Sequence, residues 1–173
     1  MTGRSDAGPA IEGPAGEALF KDVMGRFATG VTVVTALEEG VPVGFTCQSF
    51  VSLSLAPPLV ALAPAKSSTS WPRMVTAGAF CVNVLGEEQR AIGETFAVSG
   101  GDKFADAAWA SGRTGAPVLE GAVAWVECRL ELVHDAGDHE LVVGRVVDLG
   151  ARDAAPLLFY RGRYARIGAD IAR

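Results

Sequence analysis

The sequence predicts a mainly β protein, a β-barrel with peripheral helices, on three observations. Extended segments outnumber helical ones, short turns join most of them, and one segment alternates strictly between apolar and polar residues. The chain has 173 residues, a length that suits one domain with a full core better than two. Residues 1–16 are rich in Gly, Pro and Ala and lack the apolar core of an export signal. We therefore expect a flexible tail over 1–16, followed by a single cytoplasmic domain over 17–173.

Helical signals occur in three places. Apolar residues at spacings of three and four predict a first helix over Gly16–Phe27. Hydroxyl residues followed by Trp71 and Pro72 predict the start of a second helix, because proline is favoured in a first helical turn. A third, short helix is predicted over Glu87–Phe96.

Eight segments rich in apolar or β-branched residues are predicted to be strands. The turn residues Glu38–Gly40 separate the first two and predict a β-hairpin. Gly100–Pro117 has no clear period, so we expect a long loop with a helical turn over Phe104–Trp109. The predicted strands are Thr29–Leu37, Val41–Thr46, Leu59–Ala63, Ala79–Leu85, Ala124–Val133, His139–Leu149, Leu157–Tyr160 and Arg163–Ile167.

The strand predicted over Ala124–Val133 has the clearest pattern. Its apolar and charged residues alternate, which is typical of a sheet with one face in the core and the other in water. The apolar set is Val126, Cys128, Leu130 and Leu132, and the charged set is Glu127, Arg129 and Glu131.

The 26 residues from Gly40 to Ala65 contain no charged side chain. Four prolines and several hydroxyl and amide side chains interrupt this run, so it does not fit a lipid-facing helix. We expect it to be buried or to face a ligand. The net charge of −5 gives no basic footprint for nucleic acid or for an anionic membrane, so neither is an expected partner.

Cysteine and histidine usage restricts the possible chemistry. Cys47, Cys81 and Cys128 are odd in number and lack CxxC spacing, which predicts reduced, buried thiols. His134 and His139 lack the Cys or paired carboxylates that would complete a metal set, so no metal site is expected. With so few candidate bases, we expect a bound cofactor to supply the reactive group of any enzyme activity.

The segment Gly44–Leu53 is the first candidate binding site. Its hydroxyls and the Gln48 amide can hydrogen-bond the edge of a neutral heterocycle, while Phe50 and aliphatic residues cover its faces. The alternative is a strand end whose hydroxyls satisfy local backbone groups.

Four further segments are candidates for ligand contact. Lys66–Ser70, at a helix start, predicts a phosphate site, with an ordinary N-cap as the alternative. His139, in the Gly137–His139 turn, can contact a planar ligand at the lip of a barrel, although exposed turn histidines are often incidental. Lys103-Phe104 and Arg161–Tyr164 fit either a ligand contact or a solvated charge beside a core aromatic ring.

The order of these motifs resembles that of the flavin reductase family serving two-component flavin-dependent monooxygenases. The likeness covers about residues 18–167. The matching motifs are Phe27–Thr35, Gly44–Thr46, Ser49–Leu53, Pro57–Leu59, Ser67–Thr69, Asp102–Phe104 and Gly137–His139. The resemblance implies a split β-barrel of the FMN-binding type, a homodimer with flavin sites near the subunit interface, and hydride transfer from NADH or NADPH to FMN or FAD. A separate monooxygenase would then receive the reduced flavin.

The resemblance also implies residue roles. Segments matching Thr46–Ser52 line the flavin ring and ribityl chain, Arg26–Thr32 approaches the flavin, Ser67–Thr69 holds its phosphate, and Lys103-Phe104 closes over it. His139, the candidate catalytic residue, matches a histidine that contacts the nicotinamide nucleotide. The flavin-binding candidates are Thr29, Thr46, Cys47, Gln48, Ser49, Phe50, Ser52, Ser67, Ser68, Thr69, Lys103 and Phe104. The nucleotide-binding candidates are Gly137, Asp138, His139 and Tyr164.

Two other functions are alternatives. A non-catalytic flavin-binding or redox-sensing protein would need the Thr46–Thr69 wall but not Gly137–His139. An enzyme resembling pyridoxamine phosphate oxidase would carry more basic residues for its phosphorylated substrate, whereas Val31–Ser70 holds Lys66 as its one cation. The sequence leaves the choice between FMN and FAD open.

Overall fold

The structure is a computed structural model that describes residues 13–168. Within this range the chain forms helices α1 (Gly13–Met24), α2 (Trp71–Ala77) and α3 (Arg90–Ala97). Most of the remaining described residues belong to strands. These are β1 (Thr29–Gly30), β2 (Thr32–Glu38), β3 (Val41–Cys47), β4 (Val51–Leu55), β5 (Pro58–Leu62), β6 (Ala79–Val84), β7 (Trp109–Ser111), β8 (Pro117–Leu119), β9 (Ala124–Ala136), β10 (His139–Ala151), β11 (Leu158–Tyr160) and β12 (Arg163–Ala165).

The largest sheet has seven strands in the order β3-β2-β6-β9-β10-β5-β4, and all neighbouring pairs are antiparallel. β9 and β10 are its longest strands, and two β-bulges between them bend this pair. A three-stranded sheet, β1-β11-β12, and the β7–β8 hairpin complete the β structure of the described residues. The predicted mainly β class with few helices is confirmed.

Two hairpin turns follow directly from backbone preferences. Glu39 and Gly40, between β2 and β3, have φ angles of 48° and 82°, and Arg161 and Gly162, between β11 and β12, have 50° and 75°. Positive φ at both central residues is the signature of a type I′ turn, which matches the twist of the flanking strands. The predicted hairpin at Glu38–Gly40 is confirmed.

The buried apolar side chains form two clusters. The first contains Trp71 and Met74 of α2 packed with residues of the large sheet. The second contains Phe96 of α3 together with Leu85 and Leu157. Gly44 on β3 allows α3 to pack closely, because a Cβ at this position would lie 2.5 Å from the Phe96 ring.

Helix boundaries differ from the predictions by a few residues. α1 begins at Gly13 and ends at Met24, ahead of the predicted span Gly16–Phe27, and Phe27 is 73% exposed. Residues 1–12 of the predicted tail lie outside the described residues. The predicted strand over Thr29–Leu37 is divided into β1 and β2 at Val31, which is fully buried and bonds to both Leu85 and Leu157.

Two other predictions are wrong in part. The uncharged run is not buried throughout, because β4 is an edge strand that leaves Val51 and Leu53 54% and 53% exposed. The segment Gly100–Pro117 contains a turn in which the Ala107 N–H donates to the Phe104 carbonyl at 3.2 Å, but this turn ends before Trp109, and the rest of the segment enters the β7–β8 hairpin.

Glu127 contradicts the predicted water-facing row of β9, since it is 1% exposed. The turn Gly112–Ala116 folds over it, and its carboxylate accepts hydrogen bonds from the backbone N–H groups of Arg113 (2.7 Å) and Thr114 (2.6 Å). The Thr114 hydroxyl donates a third bond at 2.6 Å. Alternation within a strand cannot reveal a covering turn that comes from another part of the chain.

Candidate functional site

A cleft of about 900 Å³ opens where the end of β3, the loop after β5 and the end of α3 come together. Phe45, which packs on the first apolar cluster, and Phe96, which belongs to the second, both border it. Its volume lies in the range of about 300–1,000 Å³ that is typical of small-molecule sites. Among the described residues, Lys103 is the one lysine or arginine lining the cleft, and no Asp or Glu lines it.

The chain after β3 forms an uncharged wall of the cleft. The Thr46 hydroxyl donates to the carbonyl oxygen of Gly93 at 2.6 Å, tying β3 to α3. The Ser49 hydroxyl accepts the Ala63 N–H at 2.8 Å, tying the wall to the end of β5. The exposed Gln48 side chain has no hydrogen-bond partner among the described residues, so its amide is available to a ligand.

The three predicted thiols are free and buried, as expected. Cys47 lines the cleft, and burial raises its pKa, so the thiol stays protonated and the wall stays neutral. Burial and the nearby Glu127 carboxylate also raise the pKa of Cys81, and they raise that of Cys128 to about 12. These thiols lack the thiolate character that a nucleophilic cysteine requires.

The loop Ser67–Thr69 forms a hydroxyl-rich corner at the other end of the cleft. The Ser68 hydroxyl accepts the Trp71 N–H at 3.2 Å, so it serves partly as a local brace. The hydroxyls of Ser67 and Thr69 have no partner within the described part of the chain. Because α2 is only seven residues long, its N-terminus alone does not make a phosphate site. The free hydroxyls of Ser67 and Thr69 are the groups of this corner that can donate hydrogen bonds to a phosphate.

Lys66 does not line the cleft, although the sequence places it beside this corner. Its Nζ lies 2.5 Å from the Asp135 carboxylate, and its backbone N–H donates to the Asp138 carbonyl at 2.9 Å. The tip of the β9–β10 hairpin therefore engages this cation. The positive charge available to the cleft comes from another segment.

Lys103 supplies that charge. Its Nζ donates to the carbonyl oxygens of Gly44 (3.2 Å) and Phe96 (3.3 Å), which fixes the ammonium between β3 and α3. No carboxylate of the described residues pairs with it, and burial lowers its pKa. An ammonium has three N–H donors, so one remains for an anionic ligand.

The β9–β10 hairpin brings His139 to the cleft. The backbone of His139 bridges to Ala65, and the Glu140 N–H donates to the Pro64 carbonyl at 3.0 Å, so the hairpin is anchored on the loop after β5. His139 Nδ1 lies 2.7 Å from Asp138 Oδ1, and this contact lowers the pKa of the Asp138 carboxyl. Nε2 carries no bond to the described residues and is free to contact a ligand.

Aromatic rings cover the side of the cleft near α3. Phe159 and Tyr164 meet edge to face at 5.3 Å, and Arg90 lies 5.5 Å from the centre of the Tyr164 ring. Burial is the main cause of the raised pKa of Tyr164, so its hydroxyl stays neutral. Sequence reasoning missed Phe96 and Phe159, since an apolar ring at helical or strand spacing is indistinguishable from an ordinary core residue.

Ten of the predicted site residues line the same cleft. They come from the wall, the hydroxyl corner, the segment after α3, the hairpin and β12. They are Thr46, Cys47, Gln48, Ser49, Ser67, Ser68, Thr69, Lys103, His139 and Tyr164.

The other predicted residues lie elsewhere. Phe50 packs on the first apolar cluster, Ser52 lies on the exposed edge strand β4, and Phe104 lines a second cavity. Gly137 and Asp138 form the turn of the β9–β10 hairpin. The predicted residue Thr29 pairs with Phe159 in β1–β11, and its buried hydroxyl has no hydrogen-bond partner in the described chain.

Comparisons with known proteins agree with one another. The family model described as "Flavin reductase like domain" matches residues 24–168. The chain is 50% identical over 152 residues to the reductase subunit of a flavin-dependent monooxygenase from Rhodococcus jostii (strain RHA1), covering 87% of this chain and 78% of the relative.

Solved structures show the same relationship. Nitrilotriacetate monooxygenase component B from Mycobacterium thermoresistibile superposes with a TM-score of 0.87 at 44% identity, covering 91% of this chain and 89% of the other. An NADH:FAD oxidoreductase from Streptomyces globisporus C-1027, in complex with NAD and FAD fragments, superposes at 0.86 and 35% identity, covering 92% and 97%. In the described part of the chain, no helix is long and apolar enough to span a membrane.

Proposed function

The chain belongs to the flavin reductase-like family, and on that premise we propose that it is an NAD(P)H-dependent flavin reductase. It transfers a hydride from NADH or NADPH to FMN or FAD and supplies the reduced flavin to a separate monooxygenase. The observation that carries the proposal is the composition of the cleft. It joins an uncharged wall, a hydroxyl corner, one lysine and one histidine in a single space of about 900 Å³.

The residues of the cleft fit a flavin phosphate. A flat, polar-edged ring needs neutral hydrogen-bonding groups, and Gln48 provides an amide without a partner among the described residues. A phosphate needs hydroxyls and a cation, which Ser67, Thr69 and Lys103 provide. The absence of Asp and Glu from the described lining avoids repulsion of the phosphate.

We propose that the protein's own residues bind and orient the flavin and the nicotinamide nucleotide. When bound, the flavin supplies the hydride-accepting ring and the nicotinamide nucleotide the hydride. Thr46 and Ser49 hold the wall rigid through their bonds to Gly93 and Ala63. His139 approaches from the hairpin and positions the nucleotide, because stacking two rings within contact distance requires each to be held.

Steady-state turnover tests the proposal. Purified protein is mixed with each combination of NADH or NADPH with FMN or FAD, and the loss of reduced nucleotide is followed by absorbance. We expect oxidation that depends on added flavin. No turnover with any of the four pairs contradicts the proposal, and a flavin retained through dialysis without turnover supports the non-catalytic alternative.

We also propose a fold and a cellular location. The bulged β9–β10 pair and the two apolar clusters support a split β-barrel over a single domain spanning 17–173. Three free cysteines support a reducing, cytoplasmic location.

We propose a homodimer from the exposed apolar side chains of the edge strand β4. Leu55 is 91% exposed, Val51 54% and Leu53 53%, and β4 ends the order of the large sheet in the described part of the chain. Exposed apolar side chains along an open edge strand are typical of surfaces that a protein partner covers. Sedimentation of the wild type should give twice the chain mass, and Leu55→Glu should shift the equilibrium toward monomer. A monomeric wild type contradicts this part of the proposal.

A further inference from the structure

The hydroxyl corner, Ser67–Thr69, is tied to the β9–β10 hairpin on the side that leads into α2. Trp71, the first residue of α2, is 3% exposed, and its indole Nε1–H donates to the Glu140 carboxylate of the hairpin. The Trp71 backbone N–H donates to the Ser68 hydroxyl at 3.2 Å. One residue of α2 therefore bonds both the corner and the hairpin.

Glu140 follows His139 at the start of β10. Because successive side chains of a strand point to opposite faces, His139 can line the cleft while the Glu140 side chain reaches Trp71. The Trp71 ring packs in the first apolar cluster, which gives the bond a fixed end in the core. Glu140 itself does not line the cleft, so we expect it to affect a ligand through the groups that it holds in place.

A second side-chain contact joins the same hairpin to the same loop. In the Lys66–Asp135 ion pair the side chains are 39% and 79% exposed. Exposed ion pairs contribute little to stability, because they are screened by water and salt. The buried Trp71 indole N–H, in contrast, would lose free energy if it were left without an acceptor. Two backbone hydrogen bonds set the register of the contact, and the Glu140 carboxylate adds the buried side-chain bond.

We propose that Glu140 is a positioning residue of the reductase reaction. Through its bond to Trp71 it holds His139 in place beside the hydroxyl corner, so that the nicotinamide nucleotide meets a flavin whose phosphate lies at that corner. This inference rests on the proposed flavin reductase function. Hydride transfer requires two stacked rings, so a small displacement of a group that orients one of them weakens productive binding.

Substitution of Glu140 tests the proposal. Glu140→Ala removes the acceptor, whereas the side-chain carbonyl of Glu140→Gln can still accept the indole N–H without a charge. With FMN as the flavin, Glu140→Ala should raise the KM for NADH about threefold, since the two backbone bonds remain, and Glu140→Gln should restore the wild-type value. An unchanged KM in Glu140→Ala overturns the inference. A Gln variant that behaves like the Ala variant also overturns it, because the charge and not the bond would then be responsible.

Two further variants show which groups Glu140 acts through. In the His139→Ala background, Glu140→Ala should cause no further rise in the KM for NADH, because the residue that it positions is already lost. A further rise of about threefold would mean that Glu140 acts independently of His139, and it would overturn the inference. Asp135→Ala is the matched control, because it breaks the exposed ion pair of the same hairpin and should leave the KM for NADH nearly unchanged. A rise equal to that of Glu140→Ala would remove the specific role of Glu140.

Hydrogen exchange of the flavin-free protein gives a measurement that does not depend on turnover. The Lys66 backbone N–H bonds the Asp138 carbonyl of the hairpin, and Glu140→Ala should speed its exchange about threefold, while β6 exchanges as in the wild type. Unchanged exchange at Lys66 overturns the inference. An equal rise in β6 also overturns it, since Glu140 would then stabilise the whole fold. A wild type without turnover contradicts the proposed function instead, and the exchange rates then show separately whether Glu140 holds the hairpin.

Discussion

Two groups of polar side chains differ in how their hydrogen bonds are completed. Asn83 and Glu127 are 0% and 1% exposed, and every polar atom of their side chains is bonded within the chain. In the cleft, the side chains of Gln48, Ser67 and Thr69 have no partner among the described residues.

This contrast separates polar side chains that stabilise the fold from polar side chains that are available to a ligand. A buried polar group without a partner costs about 1–3 kcal/mol, so the chain itself satisfies most groups sealed in the core. Among the described residues, the Thr29 hydroxyl is an exception. A group lining an open cleft bonds to water and can exchange that water for a ligand at little cost. Whether the polar atoms of a side chain are all hydrogen-bonded within the chain should therefore predict whether its substitution affects folding or binding.

The largest expected effect is on folding, from Glu127→Ala. The substitution leaves two backbone N–H groups and the Thr114 hydroxyl of the covering turn without their partner, and it should lower the free energy of unfolding by about 3 kcal/mol. Urea denaturation measures this loss. The exposed control Glu131→Ala, on the same strand, should change stability little. If the two variants are equally stable, complete hydrogen bonding of a buried side chain does not identify a structural role.

The next effect is on flavin binding, from Lys103→Met. Loss of Lys103, the one lysine lining the cleft among residues 13–168, should raise the KM for FMN about tenfold, since a charge-assisted hydrogen bond to phosphate contributes about 1.5–3 kcal/mol. Riboflavin, which lacks the phosphate, is the control substrate and should be affected far less. An equal rise for both flavins would place Lys103 away from the phosphate.

The same lysine predicts a pH dependence. Only protonated Lys103 attracts phosphate, and burial lowers its pKa below the ordinary value of 10.5. The KM for FMN should therefore rise with increasing pH, beginning at a lower pH than a fully solvated lysine would give. The KM for riboflavin should stay flat over the same interval, and a parallel rise would contradict the assignment.

A smaller effect is expected from His139→Ala. Loss of one hydrogen bond, worth about 1 kcal/mol, should raise the KM for NADH about fivefold and the KM for flavin less. His134→Ala is the matched control, because His134 lies exposed on the partner strand of the same hairpin and outside the cleft. A KM for NADH that is the same in both variants removes His139 from the site.

The smallest effects compare neighbours within the cleft wall. Gln48→Ala should raise the KM for flavin about twofold and leave stability unchanged, since its amide has no partner in the described chain. Ser49→Ala loses the bond to the Ala63 N–H and should lower the free energy of unfolding by about 1 kcal/mol. Thermal melts and flavin titrations of the two variants decide whether the contrast holds between adjacent residues.

Much of the site could be predicted because its residues are grouped in short segments. Thr46–Ser49 and Ser67–Thr69 line the cleft as complete runs. The first was predicted from its uncharged hydroxyl and amide groups, and the second from a run of hydroxyls at a helix start. Phe96 and Phe159 could not be distinguished from core residues, because periodicity reports burial and not what the buried face adjoins. Phe50 and Phe104 illustrate the reverse: both were predicted to contact the flavin, but Phe50 packs on the first apolar cluster, and Phe104 packs on the second and lines a neighbouring cavity.

The sequence by itself determined the local features: a mainly β chain, the hairpin at Glu39-Gly40, three unpaired thiols and the family. The first two follow from side-chain period and backbone φ, the thiols from cysteine number and spacing, and the family from the order of short motifs along the chain. Only the tertiary structure decided which charges are available. It joins Lys66 to Asp135 and Glu127 to the Gly112–Ala116 turn, and it brings Lys103 to Gly44 across 59 positions. Such pairings depend on how distant segments pack, so no local pattern encodes them.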